Sequence, residues 1–431
     1  LLQDNLAEEQ NRRLTQHSRR GAADATAKPN KNERERIDKV LTAVSCHLST
    51  EDIDLLYRYR YSLTENKRAL VKFLYTVNWD DETEVAEIPT LLALWTKKAP
   101  IDVADALKLL SKDKVFEHPM VREYAVSILR SASDDELLTF LLQLVQALRY
   151  EPAPTISAQP ILSYQTLIHV ARSAGSLSPL ANFLIDRACN SPIVANYFYW
   201  YLKVEIEDET AGLLFQTVFD NYVVQLSISG QEGKMIFKRL CALDDYIAKI
   251  SGCQRDAREQ RGRKEAKEQA LIKLLEERQL HTIPRGVDWV PMPLDPSIQL
   301  MGLIPSTASM FASAVYPCVI EFVDYTEHVA SLTTSTPTTT TQTTGNTTKN
   351  PSSTAVAKPK THKIMFKSGD DLRQDQLIMQ MIALMDRLLK KVNLDLKLLT
   401  YGILAVGQKD GIMEFCRNSM PISAVLKNFN N

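Results

Sequence analysis

Residues 364–376, reading Ile-Met-Phe-Lys-Ser-Gly-Asp-Asp-Leu-Arg-Gln-Asp-Gln, gather the side chains best able to do chemistry in this sequence. A strand-like run ends in Lys367, Gly369 permits a sharp turn, and Asp370 and Asp371 open a long helical pattern. Asp371 is placed to cap that helix, where the dipole favours a carboxylate. Asp375 follows four residues on, hence on the same face one turn later. A lysine fixed on a strand, with a carboxylate from the adjacent helix, is a rigid positive point charge suited to holding nucleotide phosphates. A plain edge-strand lysine and a plain N-cap fit the same letters, and both readings stay open at this level.

Other chemical signatures are missing. There is no Gly-x-Gly-x-x-Gly and no Walker-type loop; Gly230 and Gly233-Lys234 approach the latter, but Met235 stands where Ser or Thr is needed. Each of the seven His stands alone, and no Ser/His/Asp or Cys/His grouping has local support. The six Cys (46, 189, 241, 253, 318 and 416) are far apart and lack zinc-finger spacing. That argues against a disulfide framework or a structural zinc and for a reducing, cytosolic compartment. With 51 Lys+Arg against 52 Asp+Glu, the formal charge of −1 disfavours a nucleic-acid partner. A hydrophobic content of 45% excludes a wholly disordered chain.

The elements that must position the 364–376 segment follow from length and periodicity. At about 150 residues per domain, 431 residues suggest two or three domains. Only 14 Gly disfavours a turn-rich all-β architecture. Residues 1–35 are polar and read as a linker or the tail of a preceding domain. The first residue is Leu rather than Met, so a chain incomplete on that side is expected. No segment resembles a signal peptide. From 36 to 280 one helical signal follows another. Ser133 and Glu136 have capping-box spacing ahead of Leu137, Leu138, Leu141, Leu142, Val145 and Leu148. His118-Pro119 and Ser191-Pro192 mark helix starts. Short polar breaks between these segments predict an α-helical solenoid or bundle. Residues 254–278 read as a charged helix with a solvated face, six basic and four acidic residues falling within 254–268.

Pro284, Pro291, Pro293 and Pro296 punctuate a change of chemistry near 281. Pro296–Ile320 carries no charge, but three prolines would break a spanning helix there, and no transmembrane segment is read. Strand-type runs lie at Gln299–Ile304, Cys318–Asp324 and Lys363–Lys367. Between the last two, residues 331–360 are predicted to be a disordered insert, Thr filling 11 of the 20 positions 331–350. Asn346 heads a glycosylation sequon that a cytosolic chain would not present. A helix over Asp371–Lys391 follows, its apolar face formed by Leu372, Met379, Ile382, Met385, Leu388 and Leu389. Strands return at Tyr401–Val406 and Gly411–Cys416, the order of a small α+β lobe.

Taken with its surroundings, Lys367-Ser-Gly-Asp-Asp-Leu-Arg-Gln-Asp375 resembles the lipid kinases of the phosphatidylinositol 3-kinase type. Asn393–Leu398, Tyr401 and Lys409-Asp-Gly-Ile-Met-Glu-Phe415 extend the likeness. Upstream, Lys72-Phe73-Leu74, Asn78-Trp79-Asp80, Ala106–Leu110 and Leu141–Leu148 before Tyr150 resemble that family's helical domain. The details are most similar to class III. The resemblance implies a mainly α chain: a helical (accessory) domain over 36–280, then the α+β N-terminal lobe of a kinase over 281–431, with the C-terminal lobe absent. It also implies an activity, transfer of the ATP γ-phosphoryl to the 3-hydroxyl of phosphatidylinositol. The setting would be endosomal and autophagic membranes, alongside a protein-kinase-like regulatory subunit and a beclin-type subunit. A truncated scaffold that binds partners through its solenoid is the alternative.

Position by position, the resemblance makes Lys367 the lysine on the ATP phosphates. Asp375 and Tyr401 become a polar pair at the back of the adenine pocket, and Met413 the gatekeeper. Glu414, Phe415 and Cys416 would form the hinge whose backbone meets adenine. Phe311–Pro317 would cover the phosphates, with Ser313 as a hydroxyl donor and Ala312 where class III enzymes often carry Lys. The Asp-Arg-His-x-x-Asn and Asp-Phe-Gly motifs that such kinases need do not occur. No catalytic base and no metal ligand is therefore assigned to this chain, the Mg²⁺ ligands are expected in the C-terminal lobe, and the chain alone is expected to be inactive.

Overall fold

The computed structural model describes residues 20, 25–44, 47–151, 177–325, 360–420, 422 and 425–426. The Thr-rich insert, apart from Lys360, the sequon at Asn346 and most of the 1–35 tail lie outside the described residues. By contacts the chain divides into two compact units, Leu1–Ile156 with Ser176–Phe183, and Ser157–Gly175 with Leu184–Asn431. The fold is mainly helical with one curled antiparallel sheet, as the sequence predicts.

The first unit carries α1 (Lys31–Thr42), α2 (Thr50–Arg58), α3 (Arg60–Leu63), α4 (Ala69–Leu74), α5 (Glu82–Lys98), α6 (Val103–Leu109), α7 (Pro119–Arg130) and α8 (Asp134–Ala147). Local chemistry sets their ends. Asn30 and Glu33 form a complete capping box at α1, each backbone N–H donating to the other's side chain at 2.9 Å. At α8 only half of the expected box forms: Ser133 Oγ accepts from Glu136 N at 3.2 Å, and three acidic residues fill the first turn. Pro119 opens α7 as predicted. Leu137, Leu141, Leu144, Val145 and Leu148 are buried, and Leu138 and Leu142 border that core.

Several family-like residues of this unit serve the fold. Lys72 is buried, and its Nζ donates to Ala43 O at 2.6 Å and Val40 O at 2.5 Å, satisfying carbonyls at the C-terminal end of α1. Phe73 and Leu74 are fully buried, and Trp79 stacks on His118 at 4.8 Å. Replacing Lys72 by Met keeps the stem and strands both carbonyls. We expect a loss of about 2–3 kcal/mol, read as a lower urea midpoint at constant m-value. An unchanged midpoint would mean that water caps α1 as well as the ammonium does.

Helix α9 (Pro179–Asn190) spans the division between the units. The second unit carries α10 (Pro192–Ile206), α11 (Gly212–Ile228), α12 (Gly230–Glu259), α13 (Lys264–Glu277) and α14 (Arg373–Lys391). Its strands are β1 (Val290–Met292), β2 (Asp295–Met310), β3 (Cys318–Asp324), β4 (Thr361–Ser368), β5 (Ile403–Ala405) and β6 (Asp410–Glu414). They form one antiparallel sheet in the order β1-β2-β3-β4-β6-β5. Directly opposed residues share a face, so the register sorts the side chains. Ile320 opposes Ile364, Cys318 opposes Phe366, and Phe366 opposes Ile412. All five are buried, on the face that meets α12 through the edge-on contact of Phe322 with Tyr246 at 6.2 Å.

The structure departs from the sequence expectations in several places. Strand β1 is unforeseen because Pro291 and Pro293 read as punctuation; Pro is tolerated here because β1 is an edge strand. The Pro-rich stretch marks where helices give way to strands, yet α12 and α13 pack on the sheet within one compact unit. Residues 254–278 form two helices joined at 260–263, not one, because Gly262 takes a left-handed φ of 126° and turns the chain back. Several of their charges serve the fold instead of facing water: Lys267 is buried and donates to the carbonyls of Arg258 and of Gln260, the latter at 2.6 Å. Lastly, the apolar face expected for the long helix is mostly open. Leu372 and Gln376 are buried, while Met385 and Leu388 are 52% exposed. No helix among the described residues is long and apolar enough to cross a membrane.

Candidate functional site

Strand β4 lies between β3 and β6, so Lys367 is not an edge-strand lysine. Its neighbours Ile364, Phe366 and Ser368 point into the core, and Lys367 and Met365 point the other way. Met365 directly opposes Met413 on one side and Val319 on the other, and Met413 opposes Ile403. A row Ile403–Met413–Met365–Val319 therefore crosses four strands on the face opposite the α12 core. Lys367 stands one pleat further along, opposed by Gly411, which opposes Ala405 in turn. Gly411 has a packing reason to be Gly. A Cβ there would lie 2.5 Å from Leu372 Cδ1, the side chain that seats the start of α14 against the sheet.

The turn after β4 is tied down at several points. Gly369 has a φ of 93°, and the N–H groups of Gly369 and Asp370 both donate to Lys409 O, at 2.7 and 3.1 Å. Lys367 Nζ lies 3.3 Å from Asp370 Oδ2. The carboxylate beside the lysine thus comes from the turn, where the sequence reading expected one from the helix. The helix begins at Arg373, with Leu372 as N-cap residue. Asp371 is engaged two residues ahead: Arg373 donates to it from its backbone N, Nε and Nη2, at 3.0, 2.9 and 2.7 Å. That pairing holds the Asp371 carboxyl below the usual carboxylate range, so Asp371 anchors Arg373 and does not cap the helix.

Two other expected site groups meet. The ring of Phe311, at the start of the 311–317 loop, lies 6.4 Å from that of Phe415, and Lys363 Nζ sits 5.9 Å from the Phe415 centroid. Glu414 is fixed by Gly402, donating from its N to Gly402 O at 2.8 Å and accepting from Gly402 N at 3.1 Å. Cys416 is exposed just beyond. Ser313 is also exposed and receives Tyr316 N on its carbonyl at 3.3 Å. Asp375 and Tyr401 are not joined by a hydrogen bond among the described residues; Asp375 is exposed and Tyr401 partly buried. The helix–sheet tie runs through Gln376, missed in the sequence, whose Oε1 accepts from Ala405 N at 2.8 Å. Its signal was available, since Gln376 sits one turn after Leu372 on the same helical face.

Among the described residues, no three or more of His, Cys, Asp and Glu are grouped to hold a metal ion. What the face offers is one ammonium on a central strand, a methionine floor and an aromatic pair between loop and strand end.

Comparison with known proteins bears on this arrangement directly. Residues 25–234 match the model of the phosphoinositide 3-kinase family accessory domain (PIK domain), and residues 361–431 match that of phosphatidylinositol 3- and 4-kinase. Phosphatidylinositol 3-kinase pik3 of Schizosaccharomyces pombe is 39% identical, over 96% of this chain and 45% of the relative. A phosphatidylinositol 3-kinase, root isoform, of Glycine max is 34% identical, over 95% and 44%. Phosphatidylinositol 3-kinase VPS34 of Saccharomyces cerevisiae is 31% identical, over 97% and 46%. The chain belongs to the phosphatidylinositol 3-kinase family. It spans less than half the length of each of these relatives. Along the chain, the kinase-model match begins at β4 and takes in Lys367, α14 and the 414–416 segment. The sheet's other half, including the 311–317 loop, lies between the two matched regions.

Proposed function

We propose that the sheet face bearing Lys367 binds ATP, and that the chain supplies the nucleotide-binding half of a phosphatidylinositol 3-kinase. The observation that carries this reading is the co-facial placement of Lys367 with Met365 and Met413 on neighbouring central strands. A planar base resting on the methionines would lie one pleat, about 7 Å, from the lysine, in keeping with the step from adenine towards its phosphates. Met413 then acts as gatekeeper, and the backbone of Glu414, Phe415 and Cys416 borders the base. Phe311 closes the end nearest Phe415, and the 311–317 loop, with Ser313 at its tip, covers the phosphates. With Ala312 in that loop, Lys367 carries the positive charge here. Asp375 and Tyr401 would line the back of the pocket.

In the longer protein the ATP γ-phosphoryl would pass to the 3-hydroxyl of phosphatidylinositol, with Mg²⁺ held outside this chain. The work would take place on endosomal and autophagic membranes, with a protein-kinase-like regulatory subunit and a beclin-type subunit as partners. The 431-residue chain alone would bind nucleotide without transferring phosphate, since it has neither Asp-Arg-His nor Asp-Phe-Gly.

Cysteine chemistry tests the pocket. Cys416 and Cys241 are exposed, whereas Cys253 and Cys318 are buried. Burial pushes the Cys318 thiol up to about 12, so it stays protonated and inert at neutral pH. Maleimide followed by peptide mass spectrometry should label Cys416 and Cys241. Saturating ATP should slow labelling at Cys416 by about tenfold or more and leave Cys241 unchanged, because occupancy of one site protects only its own border. Equal rates at Cys416 with and without ATP would contradict the hinge assignment.

A further inference from the structure

We infer that Gln254, assisted by Arg258 and Lys267, holds the 311–317 loop and the Lys367 turn in their working positions from the helical side. This rests on the nucleotide reading above and assigns it positioning residues outside the kinase-model match. Gln254 lies on α12 and is 1% exposed. Its Nε2 donates to two successive loop carbonyls, Tyr316 O at 3.1 Å and Val315 O at 3.3 Å. Its Oε1 is buried and has no hydrogen-bond partner. An amide that strands its own acceptor in a core costs stability, so its two donors must be of use there.

The use is visible in the loop. Tyr316 takes a φ of 45°, a left-handed conformation that a bulky residue adopts only when its surroundings impose it. Gln254 grips the carbonyl of this residue, and Lys267 Nζ lies 5.0 Å from the centroid of its ring. Phe311 N donates to Pro317 O at 2.9 Å, so a shift at Tyr316 is passed to the phenyl ring that meets Phe415.

The same helix end grips the second element. Arg258 Nη1 donates to Ser368 O at 3.1 Å, the carbonyl that follows Lys367. A Cβ on Gly369 would lie 2.8 Å from that guanidinium, so the turn is moulded around it. Arg255 donates to Ser368 Oγ at 3.0 Å and Asp410 Oδ1 at 3.3 Å, and Ser368 Oγ donates to the same Asp410 oxygen. One helical turn, 254–258, therefore reaches both the loop above the phosphates and the strand end bearing the lysine. Lys267 binds the carbonyl of Arg258 and so fixes that turn.

The test uses the 431-residue chain, with Gln254→Met to delete both donors at near-constant volume and Arg258→Lys as a milder second variant. Hydrogen exchange without nucleotide reads the loop alone. Peptides covering 311–317 should exchange about tenfold faster in Gln254→Met, while peptides from α7 and α8 keep their rates. Binding is then measured with ATP and with adenosine. A positioning role predicts about tenfold weaker ATP binding in Gln254→Met and unchanged adenosine binding, with Arg258→Lys intermediate. A purely structural role would lower the melting temperature and leave both loop exchange and the ATP-to-adenosine ratio at their parental values, which would overturn the inference. If the parent chain bound neither ligand, the nucleotide reading would fall with the role drawn from it, and exchange alone would still decide whether Gln254 holds the loop.

Discussion

Lys367→Met should lower turnover by about a hundredfold or more when the substitution is made in a longer protein that contains the catalytic loop. On the proposed nucleotide reading, the ammonium would make a charge-assisted contact that strengthens as charge develops on the transferring phosphoryl group, worth about 3 kcal/mol. Lys367→Arg should fail too, because a planar guanidinium does not reproduce a compact ammonium one pleat from the methionine floor. The fold should survive either change. Lys367 is partly exposed, it pairs with Asp370 in the turn, and the strand pairs on both sides through its backbone. The measurement is phosphatidylinositol phosphorylation on vesicles, with circular dichroism as the check on folding. A well-folded Met variant of near-normal rate would remove Lys367 from the phosphates.

The second large effect concerns stability in the helical unit. Arg122 and Glu151 form an ion pair whose side chains are 3% and 2% exposed, one on α7 and the other just past the end of α8. Arg122→Met leaves the Glu151 carboxylate buried without its counter-ion and should cost about 3–5 kcal/mol. Pairing it with Glu151→Leu should recover most of that loss, since apolar side chains of similar volume replace buried pairs at little cost. Urea melts of the two single variants and the double variant give the coupling directly. Additive losses would show that the two charges are satisfied separately.

The elements with strong local signals were legible in the sequence. Pro119 and Pro192 open helices, Cys318–Asp324 is a strand as read, and the Lys367 turn falls where Gly369 allows it. What was not legible depends on partners that spacing alone does not pick out. Asp371 looked like an N-cap because its spacing is right, but Arg373 holds both its oxygens. Arg255 and Arg258 looked like a solvated face, yet their partners lie more than a hundred residues away at Ser368 and Asp410. Strand β1 was hidden by prolines that only an edge position accommodates. The sequence singled out Lys367, Met413 and the 311–317 loop by residue type, whereas Gln254 has no such signature and Gln376 shows only through its helical spacing from Leu372. Each acquires a role through the backbone group it meets.

The packing of α12 on the sheet also bears on inheritance. Ile320, Phe322, Ile364 and Phe366 are covered by a helix that precedes the Pro-rich stretch in the chain. A sheet exchanged between relatives at that stretch would arrive with its inner face bare, an apolar patch of the kind that drives aggregation. The unit that can be swapped, duplicated or expressed separately therefore has to begin upstream of Gly230 and carry α12 and α13 with it. Evolution is held to the same boundary: residues 230–277 must drift in step with the strands they cover, although nearly all of them lie between the accessory-domain match, which ends at 234, and the kinase match, which begins at 361.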